Sequence, residues 1–320
     1  MAEIGSDVAV AADLLKQEGV VAIPTETVYG LAGNALSARA VARIYEVKNR
    51  PSFNPLIIHI GAPDQLSHYA KNVPEAASLL AQKFWPGPLT LLLEKTGRVP
   101  DVVTAGSERV AVRIPRHPLT RQLLSALDFP LAAPSANPSG YVSPTTATHV
   151  AEQLGEKISY ILDGGPCTVG VESTIVGFEK GRVVVYRWGG VALEELERCV
   201  GPTMPVVFHT TEAATPAPGM LTSHYAPRQP VIIGELTELL NHYPPEGVGL
   251  LTFQDTYPSV AASRQVVLSP TGSLAEAAQQ VFAALRHLEK LPITYILAEA
   301  VPDRGIGRAI NDRLRRATAD

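Results

Sequence analysis

Four cations in this chain stand where a positive charge needs a reason. Lys48 and Arg50 flank Asn49 and run straight into the turn-forming segment Pro51-Ser52-Phe53-Asn54-Pro55. Arg113 interrupts the apolar run Val110-Ala111-Val112-Arg113-Ile114, and Arg187 ends the run Val183–Tyr186. An arginine in an apolar strand is seldom buried without a partner, so Arg113 either pairs an acid such as Glu26 or meets the anion of a ligand. Lys48 and Arg50 have a plainer reading as charges that complement a helix C-terminus. Two residues apart in a proline-braced loop, they can also face one phosphate, Arg50 as a bidentate fork and Lys48 as a point charge. The chemistry these residues suit is the binding of a phosphorylated or carboxylated small molecule.

Polar uncharged groups cluster at the ends of neighbouring apolar runs. Pro24-Thr25-Glu26-Thr27-Val28-Tyr29-Gly30-Leu31 follows Val20–Ile23, and its two threonines, glutamate and tyrosine are dense for a mere connection. His59 lies inside the run Leu56–Ile60, where a lone histidine is usually a satisfied core residue, although its strand begins just after the basic loop. Asn54 is a turn residue or an amide that fixes a ligand. Ala133-Pro134-Ser135-Ala136-Asn137-Pro138-Ser139-Gly140 is turn chemistry, or hydroxyl, amide and backbone N–H groups for a phosphate. Ser143, before Pro144, reads as a helix N-cap, and Gly170-Val171-Glu172-Ser173-Thr174 puts two hydroxyls at a strand start. The chain has no GxxxxGK[ST], HExxH or GxSxG motif and no Cys/His cluster. With no obvious nucleophile, such a site would act by orientation and electrostatics.

These residues need rigid elements beneath them. Helical spacing is expected over residues 6–18 with Ser6 or Asp7 as cap, over 37–48 with Ser37 as cap, and over 74–84, 117–127 and 143–154. Strands are expected at Val20–Ile23, Leu56–Ile60, Leu89–Leu93, Val110–Ile114, Leu131–Pro134, Tyr160–Leu162, Ser173–Gly177 and Arg182–Arg187. Consecutive strands mixed with helices predict an α/β sheet carrying both parallel and antiparallel pairs. Residues 201–229 are rich in proline and poor in periodic apolar positions, which predicts a semi-extended linker. Beyond it, residues 230–320 alternate strand runs with two helices, 273–290 and 307–317, the first opened by a Ser273/Glu276 capping box. That pattern predicts a small parallel-sheet unit of Rossmann-like type.

At 320 residues the chain exceeds the usual size of one core, so two domains are expected: 1–200, and 230–320 beyond the linker. No apolar run approaches the length of a membrane span, the first residues lack a basic n-region, and there are two cysteines, Cys167 and Cys199. A cytoplasmic setting without membrane contact is expected. The net charge of −4 argues against broad nucleic-acid binding.

In order and separation, PTETVYGL, KNRPSFNPL, VAVRIP, PSANPSG and GVESTIV resemble the YrdC-type domain of threonylcarbamoyl-AMP synthases over about residues 8–195. The segment Gly219–Pro227 and the unit beyond it are similar to the long, two-domain form of that family. The resemblance implies an open twisted mixed sheet around a deep basic cavity. It implies a nucleotidyltransferase that makes threonylcarbamoyl-AMP and pyrophosphate from L-threonine, bicarbonate and ATP, with Mg²⁺ accompanying the ATP and no organic cofactor. The product would pass to the machinery that threonylcarbamoylates adenosine 37 of tRNA. Thr27, His59, Arg113, the backbone of Ala133, and Ser173 would surround the threonine and its carbamate. Arg50, Asn54, Arg109, Ser135, Asn137, Ser143, Arg187 and Tyr225 would hold ATP, with Lys48 and Arg50 stabilising the charge that builds at the phosphates. Tyr225 would come from the linker, folded back as a lid. Many relatives carry Gly and Asp at positions 49 and 53, where this chain has Asn49 and Phe53, which bears on the loop shape alone. A carbamoyl-transfer enzyme and an RNA-binding module are the rival readings. The C-terminal arginines, Arg304, Arg308, Arg313, Arg315 and Arg316, would meet a partner or contact tRNA weakly or, as the plainer expectation, form a solvated face.

Overall fold

The computed structural model describes residues 1–209 and 225–318. The N-terminal unit contains strands β1 (Glu3–Gly5), β2 (Val21–Ile23), β3 (Gly30–Asn34), β4 (Ile57–His59), β5 (Ala70–Lys71), β6 (Leu89–Lys95), β7 (Arg109–Arg113), β8 (Leu131–Ala132), β9 (Tyr160–Leu162), β10 (Thr174–Glu179), β11 (Arg182–Arg187) and β12 (Val206–Phe208). They form one 12-stranded mixed sheet in the order β1-β9-β2-β3-β8-β4-β7-β6-β10-β11-β12, with β5 on β6. The order places β3, β8, β4 and β7 side by side although they come from distant parts of the chain; His59 and Arg113 lie on β4 and β7, and the polar runs Thr25–Tyr29 and Ser135–Asn137 flank β3 and β8.

Side-chain alternation along the strands divides the sheet faces. Val110 and Val112 enter the main core with Leu31, Ile58, Leu91, Val176 and Val185, under apolar residues of the helices Ala38–Lys48, Glu75–Phe84 and Leu193–Val200. Ala111, one residue out of phase, belongs to a smaller cluster with Ile57, Leu92, Ile175, Val184 and Tyr186, to which strands alone contribute. That face is left for the site. Arg109 and Arg113 share it with Ala111 by period two.

Local chemistry accounts for most element ends. Asp7 caps the helix Val8–Lys16 by accepting from the N–H groups of Ala9 and Val10, and Ser37 caps Ala38–Lys48 through Ala40. Asn49 ends that helix in the left-handed region (φ 50°), which turns the chain so that Arg50 leaves the helix axis. Ser143 departs from expectation: the helix is shorter, Ala147–Leu154, and its cap is Thr146. The segment before it is taken up by tertiary bonds, Tyr29 N–H to Pro144 O and Cys167 N–H to Thr145 O.

The C-terminal unit has β13 (Val231–Ile233), β14 (Val248–Thr252), β15 (Gln265–Val267) and β16 (Tyr295–Ala298), all parallel, in the order β13-β16-β14-β15. Its helices Leu274–Glu289 and Gly307–Ala317 bury one stripe each. Half of the expected capping box forms: Ser273 accepts from Glu276 N–H, while the Glu276 carboxylate turns to Ser269 and Thr271. Most of the expected linker, including Gly219–His224, lies outside the described residues.

The two units share a core. Val28, Val142, Val171 and Tyr225 pack in one buried cluster with Val281, Phe282 and Leu285 of the C-terminal unit. At Gly170 (φ +82°) a Cβ would sit 2.2 Å from the carbonyl oxygen of Ala278, so only glycine admits the helix backbone this closely.

Candidate active site

One end of the cavity is built by a loop folded on its own hydroxyls. Thr25 Oγ1 accepts from the N–H groups of Thr27 (3.1 Å) and Val28 (3.2 Å) and donates to Val28 O (2.6 Å). With that proton committed, the 2.9 Å contact between the threonines is Thr27 donating to Thr25. Thr27 Oγ1 in turn accepts from Arg113 Nη1 at 3.0 Å. Arg113 also donates through Nη2 to Glu26 Oε1 (2.7 Å) and through Nε to Gly87 O (3.1 Å). Of the two alternatives left open for Arg113, the pair with Glu26 is made, and the side chain also lines the cavity. A guanidinium has five N–H groups; three carry these bonds, which leaves two to receive a carboxylate. Burial alone would raise the Glu26 carboxyl, but the Arg113 charge and hydrogen bonds, with the Arg116 N–H, hold it below the ordinary carboxylate value.

His59 is the register partner of Arg113 on the parallel strands β4 and β7, so the two side chains leave adjacent strand ends. Burial first, and then Arg113, push its pKa down to about 3, which keeps the imidazole neutral. Its Nδ1 is buried without a partner among the described residues, and the ring lines the cavity. A buried polar atom left unpaired calls for an explanation; a ligand in the cavity would supply one.

The other end is more cationic. Arg50 is gripped by its own turn: Nε donates to Asn54 O (3.1 Å), and Nη2 to Asn54 Oδ1 (2.6 Å) and Pro55 O (2.9 Å). Arg187 donates to Ser173 O from Nε (3.1 Å) and to Ser173 Oγ from Nη2 (3.1 Å). Burial lowers both guanidinium pKa values to about 10, so both stay charged near neutrality. One cavity brings together Thr27, His59, Arg113, Ala133 and Ser173 with Arg50, Ser135, Arg187 and Tyr225.

The remaining sequence-derived residues stand behind or away from that wall. Lys48 is buried, and its ammonium donates to the carbonyls of Ser135 and Asn137, tying the helix end to the PSANP loop. Burial and then Arg50 push its pKa well below the usual lysine value. Asn54 works through Arg50, and Asn137 holds Tyr141 O at 2.7 Å. Ser143 donates to Glu172 Oε1 at 2.6 Å. Arg109 lies at the far end of β7, bound to Glu179 (3.0 Å) and to the Tyr186 hydroxyl (2.8 Å).

The expectation of a solvated arginine face on the last helix fails at Arg313. It is fully buried, and donates to Glu172 Oε2 (2.7 Å) and Trp188 O (2.8 Å) and to Asp312. Its spacing holds the missed signal, because Ile310, Arg313, Leu314 and Ala317 form the helix's buried stripe. Glu172, which sequence reasoning left unassigned, lines the cavity. Burial would raise its pKa, yet Arg313, Arg187 and the Ser143 hydroxyl hold it down to about 2.

Known proteins resemble this chain over nearly its whole length. Residues 13–189 match the Sua5_yciO_yrdC family model, described as telomere recombination, and residues 191–319 match the model of the threonylcarbamoyl-AMP synthase C-terminal domain. The chain is 44% identical over 322 residues to the threonylcarbamoyl-AMP synthase of Pyrococcus abyssi, covering 97% of this chain and 93% of that protein. It is 42% identical over 319 residues to the Bacillus subtilis protein of the same name, covering 97% and 92%. The crystal structure of P. abyssi Sua5 complexed with L-threonine superposes with a TM-score of 0.90 at 40% identity, over 99% of this chain and 97% of that one.

Proposed function

The chain belongs to the threonylcarbamoyl-AMP synthase family, an enzyme family of nucleotidyltransferase type, and on that premise we propose that it condenses L-threonine, bicarbonate and ATP to threonylcarbamoyl-AMP, pyrophosphate and water. The observation that carries this reading is the single cavity in which Thr27, His59 and Arg113 face Arg50 and Arg187. The two uncommitted N–H groups of Arg113 receive the threonine carboxylate, and Thr27 and Ser173 flank the amino acid. His59, neutral, offers its unpaired Nδ1 to the carbamate. The threonine amine captures carbon dioxide derived from bicarbonate, and the resulting carbamate oxygen attacks the α-phosphorus of ATP as pyrophosphate leaves. Arg50 and Arg187 hold the phosphates and meet the charge that develops on the leaving group. Lys48, bonded to two loop carbonyls, positions Ser135 rather than touching the phosphates.

Among the described residues no group of three or more His, Cys, Asp or Glu side chains is arranged to hold a metal. Mg²⁺ would enter as part of the MgATP substrate, its ligands the phosphates and water. The product serves N6-threonylcarbamoylation of tRNA adenosine 37, in a cytoplasmic setting; no helix of the described residues is long and apolar enough to cross a membrane.

Release of pyrophosphate from ATP, with and without L-threonine and bicarbonate, tests the assignment. Arg50→Ala should lower the threonine-dependent rate by about 100-fold or more, the scale of losing one preorganised charge donor. Unchanged threonine-dependent release in that variant, or release indifferent to threonine in the native enzyme, overturns it.

A further inference from the structure

Glu172 is an odd residue to find in a wall meant for a triphosphate. It lines the cavity shared with Arg50 and Arg187, and like charges in a water-poor site repel strongly. Each carboxylate oxygen also accepts one hydrogen bond from a residue outside the cavity wall. Oε1 accepts the Ser143 hydroxyl at 2.6 Å and Oε2 accepts Arg313 Nε at 2.7 Å. Arg313 comes from the last helix of the C-terminal unit and does not itself line the cavity. The same guanidinium lies 4.9 Å from the centre of the Tyr225 ring and donates to Trp188 O, next to Arg187. One buried side chain thus touches two wall residues, Glu172 and Tyr225, and the neighbour of a third.

We propose that Arg313 is a positioning residue for ATP: it neutralises Glu172 from behind, so that the phosphates meet a wall of net positive charge, and the C-terminal unit thereby completes the nucleotide end of the site. This rests on the ATP-using reading given above. At the amino-acid end the corresponding neutralisation, Arg113 with Glu26, is made inside the N-terminal unit. Arg313 therefore sets affinity for ATP and leaves that for threonine alone.

Opposite signs distinguish this from an ordinary structural ion pair. Arg313→Met leaves the carboxylate facing the phosphates without its nearest cation, and Glu172→Gln leaves behind them a guanidinium paired with Asp312 alone. Titration calorimetry on the full chain, with MgATP and separately with L-threonine, reads both. Arg313→Met should raise the ATP dissociation constant about tenfold or more, Glu172→Gln should lower it or leave it unchanged, and the double variant should return it to within about threefold of native. Threonine binding should move less than about twofold throughout. Should Arg313→Met fail to fold, the double variant and Glu172→Gln still decide the matter. Weaker ATP binding in Glu172→Gln, equal losses for ATP and threonine, or no recovery in the double variant overturns the proposal. If the native chain itself binds no MgATP, it is the functional reading that falls instead.

Discussion

Two buried arginine–glutamate pairs brace opposite ends of the cavity, and they are made on different scales. Arg113 and Glu26 both belong to the N-terminal unit, the arginine on the end of β7 and the glutamate in the loop after β2, with Thr27 and Gly87 closing the arrangement. Arg313 and Glu172 are 141 residues apart and join the last helix to the start of β10. The first pair is complete as soon as the large sheet is formed. The second exists only when the two units are docked. The proposed amino-acid end is thus a property of one unit, while the proposed nucleotide end is a property of the contact between two.

Removing one partner of the local pair should have the largest effect. Glu26→Ala strands Arg113 in a buried position and should cost about 3–5 kcal/mol in urea denaturation and abolish threonine binding; a loss below about 1 kcal/mol would mean the two pairs are not alike. Next comes the docking contact. Gly170→Ala places a methyl group against the Ala278 carbonyl at a positive φ and should cost at least about 2 kcal/mol. Its ATP affinity should fall more than its threonine affinity, and equal losses would erase the distinction between the ends.

Acid sharpens the contrast further. Glu172 has a folded pKa of about 2, below the ordinary value of 4.5, so its stabilisation is present above about pH 4.5 and is lost as the pH falls toward 2. Glu172→Gln should flatten the dependence of stability on pH in that window by up to about 1.4 kcal/mol per pH unit, read from denaturation midpoints. A slope identical to that of the native chain would show that the carboxylate is not held below its ordinary value. The smallest effect belongs to Arg109→Ala. Its pair with Glu179 is partly exposed on both sides and should contribute under about 1 kcal/mol.

The same difference of scale decides what was legible in the sequence. Arg113 could be singled out because a charge breaks a strand of valines, and its partner lay in the polar run already suspected. The helix Ala38–Lys48 and strands Tyr160–Leu162 and Arg182–Arg187 follow from cap and periodicity, and the structure has them at or next to the expected bounds. Strand β3 was missed, because Gly30-Leu31-Ala32-Gly33-Asn34 carries two glycines and no alternation; it forms because β2 and β8 pair with it on either side. Ser143 looked like a cap since a hydroxyl before proline usually is one, but Glu172 competes for that hydroxyl and no local pattern reveals it. Arg313 sits at a core-spaced position on its helix, a signal present in the sequence but outweighed by four other arginines nearby. What could not be read at all was the register between the units, since it depends on a glycine whose role appears only when Ala278 is placed against it.

The shared core has a consequence for how the chain is made. Synthesis proceeds from the N-terminus, and domains generally fold as units as they emerge. Val28, Val142 and Val171 are completed early, yet the residues that cover them, Val281, Phe282 and Leu285, follow only after more than a hundred further residues have been added. During that interval the finished sheet carries an uncovered apolar patch beside its future substrate cavity, the kind of transient surface that invites chaperones or self-association.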